Sequence, residues 1–189
     1  MEYNTKEIAT IAGKEISDIE NKISDKDIEL LMKKIKGAKK IFVAGAGRSL
    51  LMLRAFAMRL MHLGFDSYVV GDTITPAYSK DDLLIIGSAS GETGNLISIS
   101  KKAQEIGGQI FVLTVFPEST LGKMADKFLR IPAYTDKLPE SAENKKNIPP
   151  GGSMFEISML VLLDSMIIPL GEYQNVATNK YFDRHANLE

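Results

Sequence analysis

Five short apolar runs with no polar alternation set the first constraint on this chain: 41–45 (IFVAG), 67–71 (SYVVG), 83–87 (LLIIG), 110–114 (IFVLT) and, more weakly, 128–131 (FLRI). Runs of this kind suit strands covered on both faces. Helical patterns separate them over 49–64, 94–107 and 119–126. Strand–helix alternation argues for a parallel sheet with right-handed crossovers.

A helical leader precedes the first run. Ile8, Ile11, Ala12, Ile16, Ile19 and Ile23 recur at three- and four-residue steps, as do Ile28, Leu31, Met32 and Ile35. Ser24-Asp25 reads as a cap between the two helices, and Gly37 closes the second. Residues 132–152 break the strand–helix rhythm and read as a long surface flap. Ser153 then opens an apolar helix to about Leu170, followed by a polar tail. No linker or repeat divides the chain. The expectation is one domain over 1–189: a leader (1–37), an α/β core (38–170) and a tail (171–189).

Composition removes several functions. The absence of cysteine excludes a disulfide framework, a thiolate nucleophile and a cysteine metal site. A net charge of −1 provides no global attraction for nucleic acid or anionic membrane. Residues 1–14 carry no apolar run of signal-peptide length, and 157–170, interrupted by Asp164, is too short to cross a bilayer. The expected compartment is the cytoplasm.

In an open parallel sheet, ligands sit beyond the carboxyl ends of the strands. Two such ends look chemical. Gly45-Ala46-Gly47-Arg48-Ser49 allows a tight turn and close backbone approach, with Arg48 as a planar cationic donor and Ser49 as a hydroxyl. It is neither a dinucleotide fingerprint nor a P-loop, and a structural turn fits equally well. Ser88-Ala89-Ser90-Gly91-Glu92-Thr93 clusters three hydroxyls between a strand and a helix. Hydroxyls with the free N–H groups of a first helical turn make a cradle for phosphate. The competing reading is a helix cap by Ser90 or Thr93, but one hydroxyl suffices for that.

The pair G-x-G-x-S (45–49) and S-x-S-G-x-T (88–93) resembles the SIS family of phosphosugar isomerases and binding domains. Residues 54–65 (RAFAMRLMHLGF), Thr75-Pro76, 152–156 (GSMFE) and 184–189 (RHANLE) resemble its 6-phospho-3-hexuloisomerase branch. The likeness implies an α/β fold of flavodoxin-like, three-layer SIS type, with a five-stranded parallel sheet flanked by helices. It implies a homotetramer with sites at subunit interfaces, and interconversion of 3-hexulose 6-phosphate with fructose 6-phosphate, as in formaldehyde fixation or pentose phosphate supply. Its substrate-binding positions correspond to Gly47, Arg48, Ser49, Ser88, Ala89, Ser90, Gly91, Glu92 and Thr93. Leu50 and Ala89 stand where glycine is usual, and both add bulk beside the expected substrate.

Moving a carbonyl between adjacent sugar carbons proceeds through an enediol, with a base carrying the carbon-bound proton. No redox cofactor is required, and no metal is expected from two distant histidines and scattered carboxylates. Ser153-Met154-Phe155-Glu156 reads first as a capping box; the resemblance makes Glu156 the base instead. Glu92 reads as a first-turn acid complementing a helix dipole, and Asp164 as a buried, partnered structural acid. His62 and His185 are the candidates for a second acid, with packing as the alternative for His62. Arg59 reads as a helix-surface ion-pair residue. The resemblance suggests that the tail bearing His185 closes over a neighbouring subunit's site. The rival functions are a non-catalytic phosphosugar sensor and an isomerase of another sugar phosphate.

Overall fold

The computed structural model describes residues 4–137, 139–142, 144–177, 180–181 and 183–188. Glu189, at the end of the terminal motif, lies outside the described residues.

The chain opens with α1 (Thr5–Glu20), whose first N–H groups donate to the side chain of Asn4. Helix α2 (Asp25–Gly37) is capped by Ser24, which accepts from Asp27 N–H at 3.3 Å. The first helix stops at Glu20 rather than running to Ile23, yet Ile23 stays buried in the turn. Strand β1 (Ile41–Gly45), α3 (Gly47–His62), β2 (Ser67–Val69) and β3 (Leu83–Gly87) follow. Then come α4 (Gly94–Ile106), β4 (Gln109–Thr114), α5 (Thr120–Met124), β5 (Lys127–Arg130), α6 (Ser153–Ser165) and α7 (Ile167–Tyr173).

All strand pairings are parallel, and the order is β2-β1-β3-β4-β5. Successive side chains of the apolar runs alternate between two cores. Ile41, Val43, Leu83, Ile85, Phe111 and Leu113 face the layer of α1, α2, α3, α6 and α7. Phe42, Ala44, Leu84, Ile86, Ile110 and Val112 face α4 and α5. Both faces are buried along the central strands β1, β3 and β4, which therefore carry no polar side, whereas the edge strand β5 exposes Lys127, Phe128 and Arg130. This is the expected three-layer α/β sandwich.

The apolar C-terminal stretch corrects one expectation. Helices α6 and α7 follow one another as a 21-residue segment, Ser153–Tyr173, of mean hydropathy 1.7, long and apolar enough to cross a membrane by length and composition. In the fold, 56% of that window is buried, with α6 packed on α1 and α3. The break at Ser165 has a local cause: the ring of Pro169 excludes the carbonyl four residues earlier. Asp164 is a second correction. It is exposed on the outer face of α6 with Val161 and Ser165, so solvent satisfies its carboxylate.

The strand order fixes where a site belongs. From β1 the chain goes to one side for β2 and returns to the other for β3. The crossovers diverge between β1 and β3, and a crevice opens beyond their carboxyl ends.

Candidate active site

Strands β1 and β3 end level with one another, Gly45 opposite Gly87. Past Gly45 the backbone turns into α3 with no room to spare: a Cβ there would lie 2.9 Å from Leu50 N. Gly47 begins the helix at φ +56°, a conformation that favours glycine. These two glycines bring Arg48 and Ser49 to the head of the crevice.

Past Gly87 a second turn forms. Ser88 Oγ accepts from Gly91 N–H at 3.2 Å and lies 3.2 Å from Thr93 Oγ1. Thr93 is the N-cap residue of α4, yet its hydroxyl makes no capping bond and turns to Ser88 instead. The capping alternative for Thr93 is therefore not what the turn adopts. Gly91, at φ +66°, packs so closely on α5 that a Cβ would collide with Ser119 Oγ at 1.9 Å.

The crevice is a cavity of about 220 Å³. Ala46, Gly47, Arg48 and Ser49 form one wall; Gly87, Ser88, Ala89 and Thr93 form another; Thr135, Asp136 and Lys137 form a third; Gly152 and Glu156 close it. Ser90, Gly91 and Glu92 do not line it. Ser90 is buried and its hydroxyl accepts from Glu92 N–H at 3.3 Å. The Glu92 carboxylate turns outward to accept from Thr120 N–H at 2.7 Å, and hydrogen bonding by Thr120 holds its carboxyl below the usual range. Of the two residues expected to add bulk beside the substrate, Ala89 lines the cavity and Leu50 does not.

The capping box at 153–156 does not form. Ser153 Oγ donates to Pro150 O at 2.7 Å, and the N-cap residue of α6 is Gly152, without a side-chain cap. Freed from the cap, the Glu156 carboxylate accepts from Arg48 Nε. Only 13% of the Glu156 side chain is exposed, so the carboxylate faces the cavity rather than bulk water.

The histidines sit elsewhere. His62 ends α3, about 21 Å along the helix from Arg48 at 1.5 Å per residue. It is buried, with its ring 5.4 Å from that of His185. Burial, then Arg59 and His185, push its pKa below the ordinary value. Arg184 packs over Gly64 beside it, so the tail covers the far end of α3 in its own chain. Within one chain, neither histidine joins Glu156. Sequence reading missed Thr135, Asp136 and Lys137; the available signal was that 132–152 follows the carboxyl end of β5, where a loop becomes a site wall.

A switch-point cavity with a hydroxyl turn on one strand end and an anchored carboxylate on the facing helix defines a class. Residues 34–156 match the SIS domain, and the chain belongs to the SIS-domain family. A 3-hexulose-6-phosphate isomerase of Bacillus subtilis is 43% identical over 88% of this chain and 89% of its own. Another, from Mycobacterium gastri, is 37% identical over 93% of this chain and 86% of its own. The crystal structure of a Methanococcus jannaschii protein, with an inferred molecular function of 3-hexulose-6-phosphate isomerase, superposes with TM-score 0.80 at 34% identity, covering 97% of this chain and 99% of that one.

Proposed function

We propose that this chain is a ketose-phosphate isomerase that interconverts 3-hexulose 6-phosphate and fructose 6-phosphate in the switch-point cavity. The observation that carries the proposal is that the Ser88 and Thr93 hydroxyls and the Glu156 carboxylate line one sugar-sized space. The relatives at 43% and 37% identity supply the substrate.

The phosphate rests on the Ser88 and Thr93 hydroxyls at the N-terminus of α4, whose dipole favours an anion. Gly47, Ser49 and Ala89 shape the sugar's side of the cavity. Glu156 takes the proton from C2 of the 3-ketose while the C3 oxygen gains one, giving the enediol. Return of the carbon-bound proton to C3, with loss of the C2 hydroxyl proton, gives the 2-ketose. The atoms balance, and no external oxidant is required. Arg48 fixes the carboxylate's direction and stabilises negative charge developing on the sugar oxygens.

The oxygen protons need a second group. We assign it to the His62–His185 pair, with exposed His185 meeting the sugar and buried His62 behind it, brought to the cavity by a neighbouring chain in a homotetramer. Exposed Leu51, Met58 and Met61 along one side of α3 support such an interface, and Leu51 lies two residues from Ser49. The proposed setting is the cytoplasm.

The decisive assay incubates purified protein with 3-hexulose 6-phosphate and measures fructose 6-phosphate. Turnover is the expected result. Tight binding of both sugars without conversion would identify a phosphosugar sensor instead.

A further inference from the structure

The cavity's third wall carries a device that the isomerase reading has not used. The described residues of 132–152 lie mostly on the surface from Asp136 onward, yet one buried side chain ties them down from within. Asn144 is only 1% exposed. Its Oδ1 accepts from Thr135 N–H at 2.8 Å, and its Nδ2 donates to Thr135 O and Pro139 O, both at 2.9 Å. One buried side-chain amide thus occupies both backbone hydrogen-bonding groups of a single residue, as a neighbouring strand would. Two outer ties support it: Asn147 Oδ1 accepts from Tyr134 N–H at 3.2 Å, and the Glu15 carboxylate of α1 accepts from Ile148 N–H at 3.2 Å.

What this clasp presents is a cation. Of the charged side chains on the cavity, Arg48 is engaged by Glu156. Asp136 sits by Gly151, where a Cβ would lie 3.5 Å from its Oδ2. Lys137 is exposed on the cavity wall, and no carboxylate among the described residues pairs with its ammonium. A phosphate monoester carries close to two negative charges at neutral pH, and a neutral hydroxyl turn offsets none of that charge.

We infer that Asn144 is a positioning residue for substrate: its amide clasps Thr135 and so presents the Lys137 ammonium to an anionic sugar phosphate in the cavity. This rests on the isomerase reading. Lys137 acts on affinity, because it meets the same charge in ground and transition states, and such uniform binding moves KM rather than kcat.

The test is steady-state kinetics on the full chain with 3-hexulose 6-phosphate, alongside the Kd for fructose 6-phosphate. Lys137→Met raises KM about tenfold with kcat within about threefold, as expected for loss of one charge-assisted contact. Asn144→Ala does the same, and the double variant is no worse than either single one, because both remove one interaction. Lys137→Arg restores most of the affinity, and added salt weakens wild type more than Lys137→Met. Asn144→Asp serves where the alanine variant does not fold, since it keeps the acceptor for Thr135 N–H and loses both donors. The inference is overturned if Lys137→Met leaves KM and Kd unchanged in an active protein. It is also overturned if the two single effects multiply in the double variant. A wild type that binds fructose 6-phosphate without turning over sinks the isomerase reading alone, and the same variants then test the clasp through Kd. A wild type that does neither sinks both.

Discussion

Glu156, in the first turn of α6, accepts a hydrogen bond from Arg48, in the first turn of α3, across the β1–β3 switch point. The carboxylate is not tied to its own helix end, and it lines the cavity proposed to hold the sugar. Glu156→Gln keeps the shape and the acceptor oxygen but cannot take a proton. We expect kcat to fall by about 100- to 10,000-fold with KM little changed, the usual cost of losing a positioned base. Turnover within a few-fold of wild type would remove Glu156 from the chemistry. Arg48→Lys keeps the charge but loses the planar fork, so a smaller loss in kcat is expected.

The turn at 88–93 divides its residues by task. Ser88 and Thr93 share a hydroxyl contact on the cavity, whereas Glu92 points to α5. Ser88→Ala and Thr93→Ala are expected to weaken fructose 6-phosphate binding by about five- to tenfold each, equivalent to roughly 1 kcal/mol per hydrogen bond. Glu92→Ala is expected to leave that affinity unchanged and to lower the melting temperature slightly, through loss of its bond to Thr120 N–H. Titration calorimetry of the three variants separates these outcomes. Equal loss in all three would mean that the turn acts only as a scaffold.

Much of the fold was legible because its central strands are buried on both faces, which erases polar alternation and leaves uninterrupted apolar runs; the edge strand β5, largely exposed, gave the weakest run. The same uniformity hid Asp164: α6 is so apolar that its outer face had no phase to read. At 153–156, Ser-x-x-Glu satisfied a local rule, but the backbone enters α6 through a Pro-Gly turn that draws Ser153 to Pro150. Glu156 finds its partner 108 residues away, which no local pattern encodes. Thr135 and Lys137 escaped notice for a similar reason. Thr135 is held by Asn144, nine residues further on, whose amide looks like any polar loop residue until its partners are known.

Glu20, the last residue of α1, has a buried carboxylate oxygen, Oε1, without a hydrogen-bond partner among the described residues. Burial pushes its pKa from 4.5 up to about 7. The folded chain therefore binds the proton more tightly than the unfolded chain, and this contribution to stability is lost as pH rises from about 4.5 to about 7. Glu20→Gln keeps the neutral form at every pH. It is expected to stabilise the protein at pH 8 by on the order of 1 kcal/mol, or about 2–4 °C, as judged by thermal unfolding. A variant less stable than wild type at pH 8 would contradict the assignment.

His62 acts in the opposite sense. Burial, Arg59 and His185 hold its pKa below 6.5, so the unfolded chain takes up the proton first as pH falls. Its stabilising share is complete above pH 6.5 and declines as pH drops toward the lowered folded value. Over the range where both groups titrate, Glu20 makes stability fall with rising pH and His62 makes it rise, so the wild-type profile is flattened. Removing one group exposes the other. Glu20→Gln should leave a stability that climbs with pH below 6.5, and His62→Gln one that declines toward pH 7. Comparing slopes rather than absolute melting temperatures cancels the packing lost at buried His62. Parallel slopes in both variants would show that the His62–His185 contact at the end of α3 does not disfavour the charged imidazole.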